Sequence, residues 1–232
     1  ALYNTGTATP FVVKEFLVTD SHGVLLLTNS AMEVGQGVAI GRTNGNGGLI
    51  ILGGGKLVDQ SAYIGLNTAS PNNVRVSGAG AAWTNQLELA VGYNSSWNVL
   101  LIDAGGTVVD EGLVYVGYAG DYNAVGVTNN GTVWRNLDDV IIGFDGGTEN
   151  ALLVEDSGKV VNEGQTVVGY AANNNSVVVT DVGSLLQNTG SLVIGDDVGN
   201  GNWMTVANGG VVQVGAANEG ALEIGRGGIS NL

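Results

Sequence analysis

The chain has 232 residues, of which 40 are glycine, two are proline and none is cysteine, so neither disulfides nor thiol chemistry is available. Twenty-one acidic residues against seven basic ones give a formal net charge of −14. This charge argues against nucleic acid and anionic membrane surfaces as partners. No apolar run approaches the roughly 20 residues of a membrane-spanning helix, so we expect no membrane insertion.

Residues 1–38 contain two strand-like runs, 11–18 and 24–28, that do not follow the repeat of the remaining chain. One interpretation is a cap that shields the first coil of a repeat array, as solenoids need. The other is an arm that adds a strand to a neighbouring copy of the chain. The residues expected to make these contacts are Phe11, Leu25, Leu26 and Leu27.

Residues 39–232 contain a Val/Ile-Gly pair that returns eight times at intervals of 24 to 30 residues. Its glycines are Gly41, Gly65, Gly92, Gly117, Gly143, Gly169, Gly195 and Gly225. A period in this range is typical of a solenoid, and short runs rich in Val, Ile and Thr favour strands over helices. The sequence therefore predicts an all-β fold, a single-stranded right-handed parallel β-helix (β-solenoid) of about eight coils of ~26 residues with three short strands each.

Corner glycines introduce a second motif, Gly-x-Leu/Val-Val-Asp/Asn in odd coils and Gly-x-x-Trp/Leu-x-Asn in even coils. Trp83 and Trp134 are equivalent residues of the even coils, and Leu186 is next in their series, which indicates an apolar pocket. Trp97 and Trp203 stand beside turn asparagines instead. They are therefore better candidates for contact with a partner.

Six asparagines occupy one equivalent position, just before the second strand of successive coils. We expect their stacked amides to satisfy backbone groups that would otherwise be buried unpaired at the corner. They are Asn72, Asn98, Asn123, Asn150, Asn175 and Asn202.

Aromatic residues follow the Val/Ile-Gly pair in four consecutive coils, at Tyr93, Tyr118, Phe144 and Tyr170. We expect an offset stack of rings that stabilises the middle of the solenoid. The alternative is an exposed strip that contacts sugar rings or a neighbouring subunit.

The residues available for catalysis are few. The single histidine, His22, lies outside the repeats, which removes most Ser-His and zinc schemes. We expect no enzymatic activity and no cofactor, with a paired-carboxylate polysaccharide hydrolase as an alternative. Asp196 and Asp197 form a weak candidate for calcium, because hard cations bind converging oxygens, although acidic turns are usually just solvated.

The runs 74–85 (VRVSGAGAAWTN) and 127–136 (VTNNGTVWRN), with the intervening 102–109 and 154–161, resemble the "VSGxGSxWxN…LxVG" repeats of bacterial autotransporter passenger domains and related large surface proteins. The resemblance covers about residues 40 to 225. It implies an extracellular β-helical stalk or adhesin at the bacterial cell surface.

After Gly225 the sequence runs to Leu232 inside a coil, without a polar cap. Unpaired strand edges invite another chain, and contact between unlike ends gives a filament. We therefore expect an extracellular structural protein that stacks head to tail with copies of itself, using Ile229 and Leu232 at this end. The alternatives are an adhesin that binds glycan or a host surface, and a polysaccharide-degrading enzyme.

Overall fold

The computed structural model describes residues 10–68, 70–215 and 220–232. These residues form strands and turns, and among them no helix has the length and apolar character needed to cross a bilayer. Strands pair in parallel with their equivalents one coil earlier and one coil later, as β10 does with β8 and β13. The structure confirms the predicted all-β parallel solenoid of about eight coils.

In chain order the strands are β1 (Phe11–Val13), β2 (Phe16–Thr19), β3 (Val24–Thr28), β4 (Ala31–Val34), β5 (Gly37–Ile40), β6 (Gly48–Leu52), β7 (Lys56–Leu66), β8 (Asn73–Ser77), β9 (Ala82–Tyr93), β10 (Val99–Asp103), β11 (Thr107–Asp110), β12 (Val114–Tyr118), β13 (Ala124–Thr128), β14 (Val133–Asn136), β15 (Val140–Phe144), β16 (Ala151–Glu155), β17 (Lys159–Asn162), β18 (Thr166–Tyr170), β19 (Ser176–Thr180), β20 (Leu185–Asn188), β21 (Leu192–Asp196), β22 (Trp203–Ala207), β23 (Val211–Val214) and β24 (Leu222–Ile224).

Three faces surround the core, because each coil contributes three strand segments. The first face contains β1, β4, β11, β14, β17, β20 and β23, and the second contains β2, β5, β12, β15, β18, β21 and β24. Strands β7 and β9 run through the corner between these two faces and join them into one sixteen-stranded sheet. The third face is the eight-stranded sheet β3-β6-β8-β10-β13-β16-β19-β22.

The core follows from the alternation of side chains along each strand. In β10, Leu100 and Ile102 point inward and are buried, and they pair with the inward-facing Val125 and Val127 of β13. Alternate residues of a strand face opposite sides, so every coil places its aliphatic residues over those of its neighbours. Burial of each such side chain contributes about 1.5–3 kcal/mol.

The coil pattern extends closer to the N-terminus than the predicted boundary at residue 38. Strands β1, β2 and β3 pair in parallel with β4, β5 and β6, as in every later coil. The described part of the segment is thus a coil at the end of the stack, and it covers the coil that follows. The repeat was not recognised there because this coil lacks the Val/Ile-Gly pair: the residue after Thr19, which pairs with Ile40, is Asp20.

The Val/Ile-Gly signature arises from a contact between neighbouring coils. Gly117 has a φ of +82°, a left-handed conformation that glycine adopts without steric cost. A Cβ atom at this position would overlap the side-chain amide of Asn150, which lies directly beneath it. The same overlap occurs between Gly92 and Asn123. The glycine is therefore required both by the backbone conformation and by the asparagine of the next coil.

This contact gives a first prediction. We expect Gly117→Ala to lower the free energy of unfolding by about 2–5 kcal/mol, because a left-handed alanine costs about 1–2 kcal/mol and overpacking adds about 1–3 kcal/mol. The matched control is Gly146→Ala, since Gly146 also has a positive φ (+85°) but has no atom within 4 Å of an added Cβ. Urea unfolding followed by circular dichroism measures both. Equal losses in the two variants would contradict the proposed role of the asparagine contact.

Candidate functional site

The six predicted asparagines form a buried column at the corner between the second and third faces. Nδ2 of Asn98 donates to Oδ1 of Asn123 at 2.8 Å, and the backbone N–H of Asn98 donates to the same oxygen at 3.0 Å. Amide-to-amide bonds of 2.9–3.1 Å continue the column from Asn72 to Asn202. The column links the turns of successive coils, and its burial makes it structural.

Asn231 extends this column by one member that sequence analysis did not assign. Its Oδ1 accepts the backbone N–H of Asn202 at 2.9 Å. A spacing rule could have found it, because Asn231 follows Gly225 by six residues, just as Asn98 follows Gly92.

A second buried column lies at the corner between the first and second faces. Its members end the corner motif of each coil and pair in register with one another. The motif was noted in the sequence, but its role as a column was not. The members are Asp59, Asn85, Asp110, Asn136, Asn162 and Asn188, all of them buried.

Two of these residues are carboxylic acids placed in the core. Nε1 of Trp83 donates to Asp59 Oδ2 at 2.8 Å, and Nε1 of Trp134 donates to Asp110 Oδ2 at 2.6 Å. Burial raises the pKa of Asp59 to about 8 and that of Asp110 to about 7, although the indole hydrogen bonds act in the opposite direction. Both tryptophans are fully buried, so they belong to the core, as expected for an apolar pocket.

The four predicted aromatic residues form a continuous strip along the edge of the second face. The Tyr93 and Tyr118 rings stack with centroids 4.5 Å apart, and the Phe144 and Tyr170 rings stack at 5.3 Å. Between these pairs, Tyr118 and Phe144 are tilted at 5.1 Å. The strip lies at the surface, with Tyr170 exposed and the other three half-buried. It therefore both joins coils and presents ring edges to solvent.

A second aromatic surface consists of Trp97 and Tyr122, of which the sequence analysis singled out only Trp97. Trp97, expected to be exposed, stacks on Tyr122 with centroids 4.2 Å apart and an interplanar angle of 8°. Trp97 is 58% exposed. Tyr122, which is 38% exposed, therefore covers one face of the indole. Tyr122 was missed because it lies in a turn of variable length, where alignment of coils by sequence is poor.

Both members of this aromatic pair have left-handed backbones, with φ of 63° at Trp97 and 56° at Tyr122. Later coils place Glu149, Asn174 and Gly201 at this position, also with a positive φ, so the conformation is a property of the corner. The rings of Trp97 and Tyr122 mark a candidate contact surface because they are stacked and exposed.

The weak calcium candidate is occupied by a cation of the protein itself. The Asp196 carboxylate accepts hydrogen bonds from Nε of Arg226, at 2.9 Å, and from Nη2 of the same residue. These bonds hold the pKa of Asp196 below its ordinary value. No cluster of three or more histidine or acidic side chains suited to a metal occurs in the described ranges. The structure therefore places Asp196 in an ion pair with Arg226. Among the described residues, no further carboxylate joins Asp196 and Asp197 in a metal site.

The residues predicted for self-association differ in exposure. Leu25 and Leu27 point inward and are buried. Leu26 is partly exposed, and Phe11 is well exposed. Ile229 and Leu232 are largely exposed near the other end of the stack. The exposed members of the predicted set thus lie at opposite ends of the solenoid.

No protein-family model matches the chain, and no curated protein matches it at a significant level. Among solved structures, the chain is similar to the crystal structure of a TibC-catalyzed hyper-glycosylated TibA fragment. The identity is 13% over 92% of this chain and 100% of the other, with a TM-score of 0.22. The overlap is too low to support functional transfer, and the solenoid architecture rests on the strand pairing described above.

The buried carboxyls predict an unusual dependence of stability on pH. Folding raises both pKa values from 3.8, so the folded chain keeps these protons to higher pH than the unfolded chain. Their contribution to the free energy of unfolding is full below about pH 4 and falls by about 1.4 kcal/mol per pH unit for each carboxyl as the pH rises. The loss is complete for Asp110 near pH 7 and for Asp59 near pH 8.

We expect Asp59→Asn and Asp110→Asn to flatten this dependence, because an asparagine oxygen still accepts the indole hydrogen bond without titrating. Asp156→Asn, in an exposed turn, is the control and should keep the slope of the wild-type protein. Urea midpoints measured from pH 4.5 to pH 8.5 test the prediction. A wild-type chain that gains stability as the pH rises through this range would contradict it.

Proposed function

We propose that the chain is an extracellular structural protein whose solenoid stacks end to end with copies of itself. The observation that carries this proposal is the apolar surface left open by the last described coil. Val206 and Ile224 are 46% and 54% exposed, although Val179 and Ile194, their partners one coil earlier, are 0% exposed. A further coil placed there would bury both side chains.

The geometry of the other end supports the same proposal. Among the described residues, β1, β2 and β3 each pair with a single strand, and Phe11 and Val24 are well exposed. Because all coils share one parallel register, the first coil of one copy has the arrangement of a coil that would follow β22–β24 of another. Unlike ends that match in this way generate an open filament. The extracellular placement is supported by the resemblance of the repeats to surface-protein passenger domains.

We propose a non-enzymatic role. Asp59 and Asp110, the carboxyls with the most strongly raised pKa values, are buried in the core and cannot reach a substrate. A glycosidase needs two carboxyl groups that flank an accessible bond. The groove beside Tyr63 contains a single carboxylate, Glu88.

Electron microscopy of the negatively stained chain over a dilution series, with light scattering, tests end-to-end stacking. We expect thin filaments with an axial repeat of about 40 Å, from about eight coils at about 4.8 Å each. Val206→Asp should shorten or abolish them, because it places a charge on the end surface. Val182→Asp is the matched control, since Val182 is 80% exposed on a lateral turn. Monodisperse short rods at high concentration of the wild-type chain would refute the proposal.

We propose an adhesin as the second candidate, favoured by the exposed, stacked rings of Trp97 and Tyr122. We expect Trp97→Ala to weaken binding to any glycan detected on an array by about tenfold, since one aromatic contact is worth about 1 kcal/mol beyond its buried area. Trp203→Ala, in the last coil, should have little effect. Binding that is unchanged in Trp97→Ala would exclude the aromatic pair as the contact surface.

A further inference from the structure

A lateral groove lies on the second face near the start of the stack, apart from the solenoid ends and from the Trp97–Tyr122 pair. Its volume is about 390 Å³, within the range of about 300–1,000 Å³ found for small-ligand sites. Ala39 and Leu66 contribute to its lining. Its remaining walls consist of Phe16, Arg42, Tyr63, Asn67, Glu88 and Tyr93.

Small residues open this groove. Ala39 and Ala90 pair with Tyr63 on either side in the register of β5, β7 and β9, so the phenol ring lies between two short side chains. Gly37 has no side chain, and a Cβ there would lie 3.0 Å from Cε1 of Phe16. The Phe16 ring therefore lies over Gly37.

Aromatic rings and a carboxyl group converge inside the groove. The Tyr63 and Tyr93 rings meet edge to face with centroids 5.9 Å apart. The Glu88 carboxyl lines the groove together with the Tyr63 phenol. Burial raises the pKa of Glu88, and interaction with the Tyr63 hydroxyl opposes the shift.

Glu88 pairs with a small residue of the preceding coil. Asp59 pairs with Asn85, but Ser61, two residues later, pairs with Glu88, three residues later. Strand β7 is one residue short at this corner, because two residues separate Asp59 from the buried Ala62, whereas three separate Asn85 from Leu89. The shift in register therefore places the small Ser61 beside Glu88, which adds a hydrogen-bonding group to the groove.

The charged residues of the lining limit the kind of ligand that the groove can bind. The positive charge of Arg42 disfavours a cationic ligand, although the three aromatic rings could otherwise surround a cation. Glu88 and the net charge of −14 oppose an anion. What remains is a neutral molecule with apolar faces for the rings and hydroxyl groups for Glu88, Arg42 and Asn67.

We propose that this groove binds a neutral saccharide, with sugar C–H faces against Phe16, Tyr63 and Tyr93 and sugar hydroxyls hydrogen-bonded to Glu88, Arg42 and Asn67. Tyr93 is also the first ring of the aromatic strip, so a longer glycan would continue along Tyr118 and Phe144. The proposal goes beyond end-to-end stacking and does not depend on it, because the groove lies on a lateral face.

Saturation-transfer NMR on the full chain tests this site with neutral disaccharides built from glucose, galactose and mannose. Choline and inorganic sulfate serve as charged probes. We expect transfer to the C–H protons of at least one disaccharide and none to the charged probes. Absence of transfer to every disaccharide at millimolar concentration, or preferential binding of choline or sulfate, would overturn the proposal.

Variants locate the binding. Tyr63→Ala and Glu88→Ala should each weaken disaccharide binding by about tenfold. The matched controls are Tyr122→Ala, whose ring stacks on Trp97 outside the groove, and Glu111→Ala on an exposed turn; both should bind like the wild-type chain. Equal losses in the controls would refute the groove as the site. Phe16→Ala, at a 49% exposed position, provides a replacement if Tyr63→Ala does not fold.

Filament formation by Tyr63→Ala, followed by electron microscopy, separates this inference from end-to-end stacking. We expect filaments of normal length from a variant that no longer binds disaccharide. Loss of both properties together in a folded variant would contradict the placement of the two functions on separate surfaces.

Discussion

Parallel pairing of each strand with its equivalent one coil away is the constraint on which this structure depends. The register is almost uniform, so a residue in one coil contacts the residue at the same position in the next. The residue at each position must therefore pack against either the same residue type or a complementary residue type in the neighbouring coils. The Gly117–Asn150 contact shows the consequence, because a glycine and the asparagine of the next coil recur together from Gly41–Asn72 to Gly195–Asn231.

The two buried polar columns fix this register. In the column from Asn72 to Asn202, each amide donates to the amide of the next coil, so few of its groups are unpaired. In the second column, both side-chain polar atoms of Asn136 and the Oδ1 atoms of Asp59, Asn85 and Asn162 have no hydrogen-bond partner. A shift of one residue in pairing would turn these amides toward the opposite side of the strand. Asp59 and Asp110 use the same geometry with a protonatable group, and their indole partners hold them in the core. The cost is a stability that falls as the carboxyls ionise.

Because the core is nearly uniform, distinctive chemistry is confined to outward positions and to the ends. The short corner of β7, the small residues beside Tyr63 and the stacked rings of Trp97 and Tyr122 are departures from the repeat, and each changes the surface without altering the core. The apolar end surface is different in kind, since it consists of inward-facing residues such as Val206 and Ile224. The proposed end-to-end stacking and the proposed ligand binding would therefore use separate surfaces.

The solenoid, its period, the strands of each coil and the position of the asparagine column were all predictable from sequence. These follow from local patterns, namely side-chain alternation, turn glycines and a fixed interval, which are visible without knowing how coils meet. The first coil was not predicted because it lacks the Val/Ile-Gly pair. Asn231 was not predicted because it follows the last of these pairs, at Gly225.

The identity of the side chains that meet across coils could not be predicted from sequence and was found in the folded structure. The pairing of Trp83 with Asp59, the stacking of Trp97 on Tyr122 and the ion pair of Asp196 with Arg226 join residues about 24 to 30 positions apart. Turns of variable length shift such positions by one or two residues from coil to coil. Contacts of this kind depend on the register between coils, which is set by packing of the whole stack rather than by any one segment.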